Sequence, residues 1–166
     1  MDLCFLVPAG LCSILSRLQI PLLTTLRLVF DKVLGFKTLY SRANFPNLTS
    51  LTIEYEESCG VYEEEKPICE IEHLLAAMPD LHSLNISGVS LWHPIAAAMN
   101  PDPLPIPRLE DVVVEDSHSL EPLVSVFEHR SGMQCPVYSL TFRQCKVTPE
   151  LKSAFEQFVG SVLWVP

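Results

Sequence analysis

A short motif, P-x-L-x-x-L-x-L, recurs along this 166-residue chain and constrains its fold more than any other feature. Copies begin at Pro21, Pro46, Pro79, Pro107 and, one residue shorter after its proline, Pro136. The central apolar positions, spaced by 25, 33, 28 and 28 residues, are Leu26, Leu51, Leu84, Val112 and Leu140. Such self-similarity marks a repeat array, in which each unit buries its apolar face only against its neighbours. We therefore predict a single repeat domain over residues 1–166, open to truncation at both ends.

Each motif copy alternates apolar and polar residues, as a half-buried β-strand does. Strands are predicted over 25–30, 50–54, 83–87, 111–115 and 139–143, with further candidates at 3–7 and 162–165. Apolar residues at helical spacing predict helices over 9–19, 68–78, 92–99, 119–129 and 149–159, with 31–42 less regular. Thr148 is expected to cap the last helix, with Pro149 at its first position, and Gly132 to stop the helix before it. The acidic segment 56–67 and the proline-rich segment 100–107 are predicted to be connections.

Strands that alternate with short helices form parallel sheets through right-handed crossovers, so the fold class is α/β. Two arrangements fit that order, a doubly wound sheet and an open α/β solenoid. The repeated strand motif favours the solenoid. The alternation within each strand favours it too, because parallel strands covered on both faces would be apolar throughout.

On the solenoid interpretation, one side of every strand faces the helices and the other side faces water. Thirteen of the fifteen outward positions of the five motif strands are polar. At about 4.8 Å per strand they form a patch about 20 Å across. Glu54 and Glu115 lie near its centre, and Arg27 and Arg143 lie towards opposite ends. The residues predicted to bind a partner are Arg27, Ser50, Thr52, Glu54, Asn85, Asp111, Glu115, Thr141 and Arg143.

The strand motif extends into the longer pattern L-x-x-L-x-L-x-x-[N/C]-x-L. Residues 137–147 match it throughout, including Cys145, and residues 23–33 match it with Asp31 at the turn position. Other units carry Glu56, Val89 and Ser117 at that position, which departs from the pattern. The chain thus resembles the leucine-rich repeats over nearly its whole length. That resemblance implies a solenoid of about five to seven repeats, with a parallel sheet on the concave face and short helices on the convex face.

The ending of the chain is similar in more detail to the C-terminal repeats of large fungal F-box proteins. The similar segments are Pro107-Arg-Leu-Glu, Ser139-Leu-Thr-Phe-Arg-Gln-Cys-Lys-Val and Leu163-Trp-Val. In that family the repeats recruit a substrate, and a separate F-box docks on the Skp-type adaptor of a cullin ubiquitin ligase. No F-box-like segment occurs in this sequence. The resemblance therefore implies a substrate-recognition region, with adaptor binding only if an F-box is supplied elsewhere.

Charge and cysteine usage narrow the classes of partner and compartment. The net charge of −9 and the scattered 11 basic residues argue against nucleic acid, which is bound through clustered Lys and Arg. No apolar run reaches the ~18 residues of a membrane span. The six cysteines lack the paired spacing of a secreted scaffold, and Cys135 and Cys145 flank one strand beyond disulfide reach. We expect a reducing compartment, the cytoplasm or the nucleus.

The sequence offers little for catalysis or metal binding. The nearest approach to a metal cluster is Cys59-x9-Cys69-x3-His73, whose spacing is not that of a usual zinc site and which lacks an evident fourth ligand. There is no glycine-rich phosphate loop, G-x-S-x-G or H-E-x-x-H motif. We therefore predict no catalytic residue, metal or cofactor, and a monomeric, non-enzymatic scaffold that binds an unidentified protein partner or substrate. The alternatives are a degenerate repeat fragment without binding function and, less favoured, a doubly wound α/β enzyme.

Overall fold

The computed structural model describes residues 2–7 (as backbone), 22–30, 45–55, 75–88, 96, 99–100, 102–117 and 120–166. Seven strands and two helices have defined bounds within these ranges. The strands are β1 Asp2–Val7, β2 Thr25–Phe30, β3 Ser50–Tyr55, β4 Ser83–Ser87, β5 Asp111–Glu115, β6 Ser139–Arg143 and β7 Ser161–Val165. The helices are α1 Glu121–Gly132 and α2 Pro149–Phe155. The predicted helices over 9–19 and 31–42, the acidic segment 56–67, and Cys59, Cys69 and His73 lie outside the described residues.

The strands form one parallel sheet in which spatial order follows chain order, from β1 to β7. The register aligns the central motif positions, Leu26, Leu51, Leu84, Val112 and Leu140, as direct neighbours. Their predicted equivalence is confirmed. A doubly wound sheet reverses its strand order at a switch point, and no reversal occurs among these seven strands. The described sheet is therefore compatible with a repeat or solenoid-like α/β fold.

The proline of the motif occupies a tight turn just before the strand. The amide of Leu48 donates to the carbonyl of Phe45 at 3.2 Å, that of Leu81 to Met78 at 3.1 Å, and that of Leu109 to Ile106 at 3.3 Å. Proline therefore stands at the second position of each turn, where its fixed φ is favoured.

The two amides after each turn then tie the unit to its predecessor through one shared carbonyl. These bonds are Thr49 and Ser50 to Thr24, His82 and Ser83 to Thr49, Glu110 and Asp111 to His82, and Tyr138 and Ser139 to Glu110. The motif thus specifies both the turn and the register of the strand that follows it.

A left-handed residue follows each of three strands. Gly88, Asp116 and Gln144, with φ of 117°, 50° and 52°, come directly after β4, β5 and β6. Their amides donate to the last carbonyl of the next strand, at 3.3 Å to Glu115, 3.1 Å to Arg143 and 3.1 Å to Val165. The same turn therefore recurs at equivalent positions after three strands, with glycine, which adopts positive φ without steric cost, only at Gly88.

The core consists of apolar rows that run across the sheet on one face. The three apolar positions of the motif are fully or almost fully buried in all five copies, the first just before its strand and the other two within β2 to β6. Both helices pack on this inner face, because the ring of Phe155 in α2 lies 5.9 Å from Phe127 in α1 and 5.1 Å from Phe142 in β6. In β7 the equivalent positions, Val162 and Trp164, are only half-buried, and Trp164 stacks on Phe142 at 4.1 Å.

Two predicted helix ends were wrong. Helix α1 continues through Gly132 to a cap at Met133, because Gln134 takes the left-handed position (φ 59°) and the amide of Cys135 closes on the carbonyl of Arg130. Helix α2 ends at Phe155 rather than 159, and the chain turns from there into β7. The cap is confirmed, since the Thr148 hydroxyl accepts a hydrogen bond from the amide of Leu151 at 3.3 Å. Within the described part of the chain, neither helix has the length and apolarity needed to cross a membrane.

Among the described residues, the largest fully buried side chain is a charged one, Arg130 of α1. Its guanidinium donates to the carbonyls of Ile106, Leu109 and Pro107 at 3.1, 3.3 and 3.5 Å. Burial lowers the pKa of Arg130. These carbonyls belong to the turn that leads into β5, so Arg130 fastens one repeat to the helix of the next.

Candidate functional site

The sheet face opposite the helices, called here the outer face, carries alternate side chains of strands β2 to β6. Burial alternates along the strands: inward side chains are buried, whereas outward ones, except Val29, are half-buried or exposed. All nine side chains predicted to bind a partner lie on this face. The register places Thr52, Asn85, Val113 and Thr141 in one row, and Glu54, Ser87, Glu115 and Arg143 in the next.

Four of the five charged residues on the outer face form two ion pairs between neighbouring strands, and the fifth is Asp111. Arg27 contacts Glu54 through a two-point fork, with Nε to Oε1 at 2.8 Å and Nη2 to Oε2 at 2.6 Å. Arg143 Nη1 lies 2.7 Å from Glu115 Oε1. The sequence pattern alone indicates four separate charges. Glu115 and Arg143 are direct neighbours in the register, whereas Glu54 lies diagonally from Arg27, and an arginine side chain is long enough to reach either position.

The pairing changes what a partner would meet. In both pairs the arginine side chain is 52% exposed and the glutamate 27%. Within each pair the glutamate side chain is thus the less exposed one, and the arginine side chain is the one more accessible to a partner. The two guanidinium groups, each held by its glutamate, therefore lie towards opposite sides of the outer face.

Strand β4 crosses the uncharged centre between the two ion pairs. Its outward side chains are Ser83, Asn85 and Ser87, all half-buried. Asn85 Oδ1 is buried and has no hydrogen-bond partner among the described residues, and its neighbours in register are Thr52 and Val113. Small hydroxyl and amide groups can exchange hydrogen bonds with an extended backbone or with polar side chains. The centre is therefore suited to polar recognition.

A depression of about 330 Å³ lies at the amino ends of β5 and β6, bordered by His82, Arg108, Glu110, Cys135 and Tyr138. Sequence reasoning did not predict it. Arg108 is engaged by Asp80 at 2.7 Å, and His82 Nδ1 lies 2.6 Å from the carbonyl of Asp80. No hydrogen bond joins Cys135 to His82, so these residues lack the nucleophile–base contact that covalent catalysis uses.

The described cysteines are free thiols, Cys135 and Cys145. Cys145, at the [N/C] position of the repeat pattern, donates to the carbonyls of Arg143 at 3.2 Å and Val114 at 3.5 Å. Burial raises the pKa of the Cys145 thiol, which disfavours the thiolate form. Its role is to satisfy backbone carbonyls at the turn. Over the same described ranges, no group of three His, Cys, Asp or Glu side chains is placed to hold a metal ion.

Comparison with protein-family models, curated proteins and solved structures gave no match. Function is therefore inferred from the geometry of the outer face. The outer face has regularly paired strands, an uncharged polar centre on β4 and an arginine on either side of that centre. The buried apolar residues on the inner face hold its backbone in place.

Proposed function

We propose that this chain is a leucine-rich-repeat module that binds another protein through the outer face. In this proposal the solenoid has about five to seven repeats, with the sheet on its concave side and the helices on its convex side. The motif, the aligned strands and the recurring left-handed turn support it. One observation carries the functional part: a polar outer face across β2 to β6 lies over an inner face that is completely buried.

The energetics of such a face favour protein recognition. Binding a partner would cost little conformational entropy of the backbone, because the sheet already holds the strands in place. Each exposed guanidinium is held in place by its glutamate, which reduces the rotamer entropy that a contact would cost. Arginine is also enriched among residues that dominate interface energies. We assign no catalytic residue, metal or cofactor in this proposal; the seven described strands follow chain order and so do not form the switch point at which doubly wound enzymes bind ligands.

We extend the proposal to substrate recognition for an F-box-type ubiquitin ligase in the cytoplasm or nucleus. This extension is supported by the resemblance of the C-terminal repeats to the fungal F-box family, and the two free thiols fit a reducing compartment. Contact with the ligase adaptor requires an F-box supplied elsewhere. The unidentified substrate is the protein that the outer face would hold.

A matched pair of serine substitutions tests the binding face. Ser87→Arg places a large cation at the centre of the outer face, and Ser153→Arg places the same side chain on an exposed position of α2. Purified wild type and both variants serve as baits in lysate of the source cell. We expect a protein that binds wild type and Ser153→Arg and is lost with Ser87→Arg, while all three baits melt alike. Equal retention by Ser87→Arg would contradict the outer-face assignment. Ubiquitin-ligase subunits among the captured proteins test the extension separately.

A further inference from the structure

The free thiol of Cys135 lies where helix α1 ends and the chain turns towards β6. Gln134 is in the left-handed conformation (φ 59°), and its amide donates to the carbonyl of Ser131 at 3.1 Å. The amide of Cys135 donates to the carbonyl of Arg130 at 3.0 Å. These two hydrogen bonds define the Schellman ending of a helix, which brings together the side chains that here are Cys135 and Arg130.

Arg130 supplies a buried positive charge beside this thiol. Its Nη atoms donate to three backbone carbonyls, which carry no compensating charge, and its Nε is buried without a hydrogen-bond partner among the described residues. Burial lowers the pKa of Arg130, and the electrostatic interaction with Cys135 opposes that effect. A buried cation without a counter-charge favours an anion next to it. A negatively charged sulfur at Cys135 would therefore be compensated by the guanidinium.

Cys135 also lines the depression of about 330 Å³ at the amino ends of β5 and β6. Pro107 and Leu109, whose carbonyls accept hydrogen bonds from Arg130, border the same depression. The buried guanidinium thus lies behind its wall. A volume of this size is at the small end of the ~300–1,000 Å³ of small-molecule sites. Cys135 therefore combines access from solvent, room for an attached group and a neighbouring buried cation.

Cys145 provides the opposite environment within the same chain. Its thiol donates to two backbone carbonyls, so the proton is held in place. Burial raises the pKa of Cys145, and the nearby carboxylates of Asp116 and Glu115 raise it further. A thiolate is the nucleophile in thiol–disulfide exchange. The two thiols should therefore differ in reactivity, and Cys145 serves as an internal reference.

We propose that Cys135 is a thiol-modification site that forms a mixed disulfide with a small, carboxylate-bearing thiol of the glutathione type. The Cys135 thiolate attacks one sulfur of glutathione disulfide, whose sulfur–sulfur bond breaks as the bond to Cys135 forms. The second glutathione leaves as a thiolate and takes up the proton that Cys135 has lost. The Cys135 sulfur is thereby oxidised and the departing glutathione is reduced. Hydrogen-bond donors for the carboxylates of the attached group border the depression on Arg108, Gln134 and Tyr138.

Treatment of the reduced full chain with glutathione disulfide near neutral pH tests this assignment. The remaining thiols are alkylated at intervals, and peptide mapping by mass spectrometry gives the rate at each cysteine. Cys135 should form the mixed disulfide at least about tenfold faster than Cys145. In urea, where the fold is lost, the two rates should agree within about twofold, because neither thiol keeps its environment. Equal rates in the folded chain, or a difference that persists in urea, would overturn the proposal.

A pair of charge variants tests whether the depression holds the reagent. Arg108 and Glu110 are exposed at its border and have opposite charges. Because glutathione carries carboxylates, Arg108→Gln should slow the reaction of Cys135 and Glu110→Gln should speed it, each by about two- to fivefold. Lys152→Gln, on an exposed position of α2, should leave the Cys135 rate unchanged, and all three variants should melt as the wild type does. Variants at Arg108 and Glu110 that leave the rate unchanged, or change it in the opposite directions, would contradict the site. Ser87→Arg lies away from Cys135 on the outer face, so this proposal and the binding proposal fail separately.

Discussion

Replacing Arg130 with methionine should destabilise the fold more than any other single loss of charge among the described residues. The substitution keeps an unbranched apolar stem but removes the donors that meet the carbonyls of Ile106, Leu109 and Pro107. A buried acceptor left without a donor costs about 1–3 kcal/mol. Ile106 keeps the amide of Leu109 as a partner, so its loss lies at the low end.

The opposing term is the cost of burying the guanidinium, which the methionine variant avoids. No carboxylate pairs with Arg130 among the described residues, and desolvation lowers its pKa, so this cost is present in the wild type. Removing one member of a buried charged contact nevertheless destabilises strongly, because its partners remain buried. The net loss should be about 2–4 kcal/mol of unfolding free energy. That is a large part of the ~5–15 kcal/mol typical of a domain.

Urea unfolding of wild type and Arg130→Met, followed by far-UV circular dichroism, measures this difference. Arg130→Lys should fall between the two, because it keeps the charge but cannot reach all three carbonyls in a fork. Lys152→Met is the control, since it removes an exposed cation from α2 and should cost less than about 0.5 kcal/mol. A loss below about 1 kcal/mol in Arg130→Met, or a gain in stability, would refute the reasoning. The desolvation cost would then outweigh the carbonyl contacts.

Two further predictions concern packing at glycine and the outer-face charges. Gly160→Ala should cost about 1–3 kcal/mol, because a Cβ there would lie 2.9 Å from the carbonyl oxygen of Tyr138, whereas a Cβ at Gly132 meets nothing within 4 Å. Gly132→Ala should therefore be neutral or stabilising by up to about 1 kcal/mol in α1, and thermal melts that rank the two variants the other way would contradict this. Breaking the half-exposed Arg27–Glu54 pair with Glu54→Arg should cost about 1 kcal/mol or less, with the effect shrinking in high salt. The swap of both residues should restore stability, and a swap no more stable than Glu54→Arg would show that the fork contributes nothing.

The strands were predictable because two independent signals coincide in them. The motif gives the position of each strand, and its period-two alternation gives the face, as the aligned row from Leu26 to Leu140 confirms. The nine outer-face residues followed from the same alternation. Their pairing did not, because the Arg27–Glu54 contact runs diagonally between strands and depends on the register as well as the face.

Other features escaped prediction for particular physical reasons. Arg130 lies seven residues after Leu123 and three after Phe127, so helical spacing places it on the buried face of α1. The prediction of buried positions considered only apolar residues and therefore missed this arginine. The left-handed turns at Asp116 and Gln144 carry side chains that do not require that conformation, and hydrogen bonds to the next strand hold them there. Helix ends depend on such local closures more than on composition.

The measurement that tests the account most directly is the strand order in solution. Backbone nuclear Overhauser effects of the labelled chain identify which strands adjoin one another and in what register. The account predicts contacts that join the residues around Leu84 to those around Leu51 on one side and Val112 on the other, with Val112 next to Leu140. Contacts that place β4 beside a strand other than β3 or β5, or that shift its register by one residue, would contradict both the repeat array and the outer face.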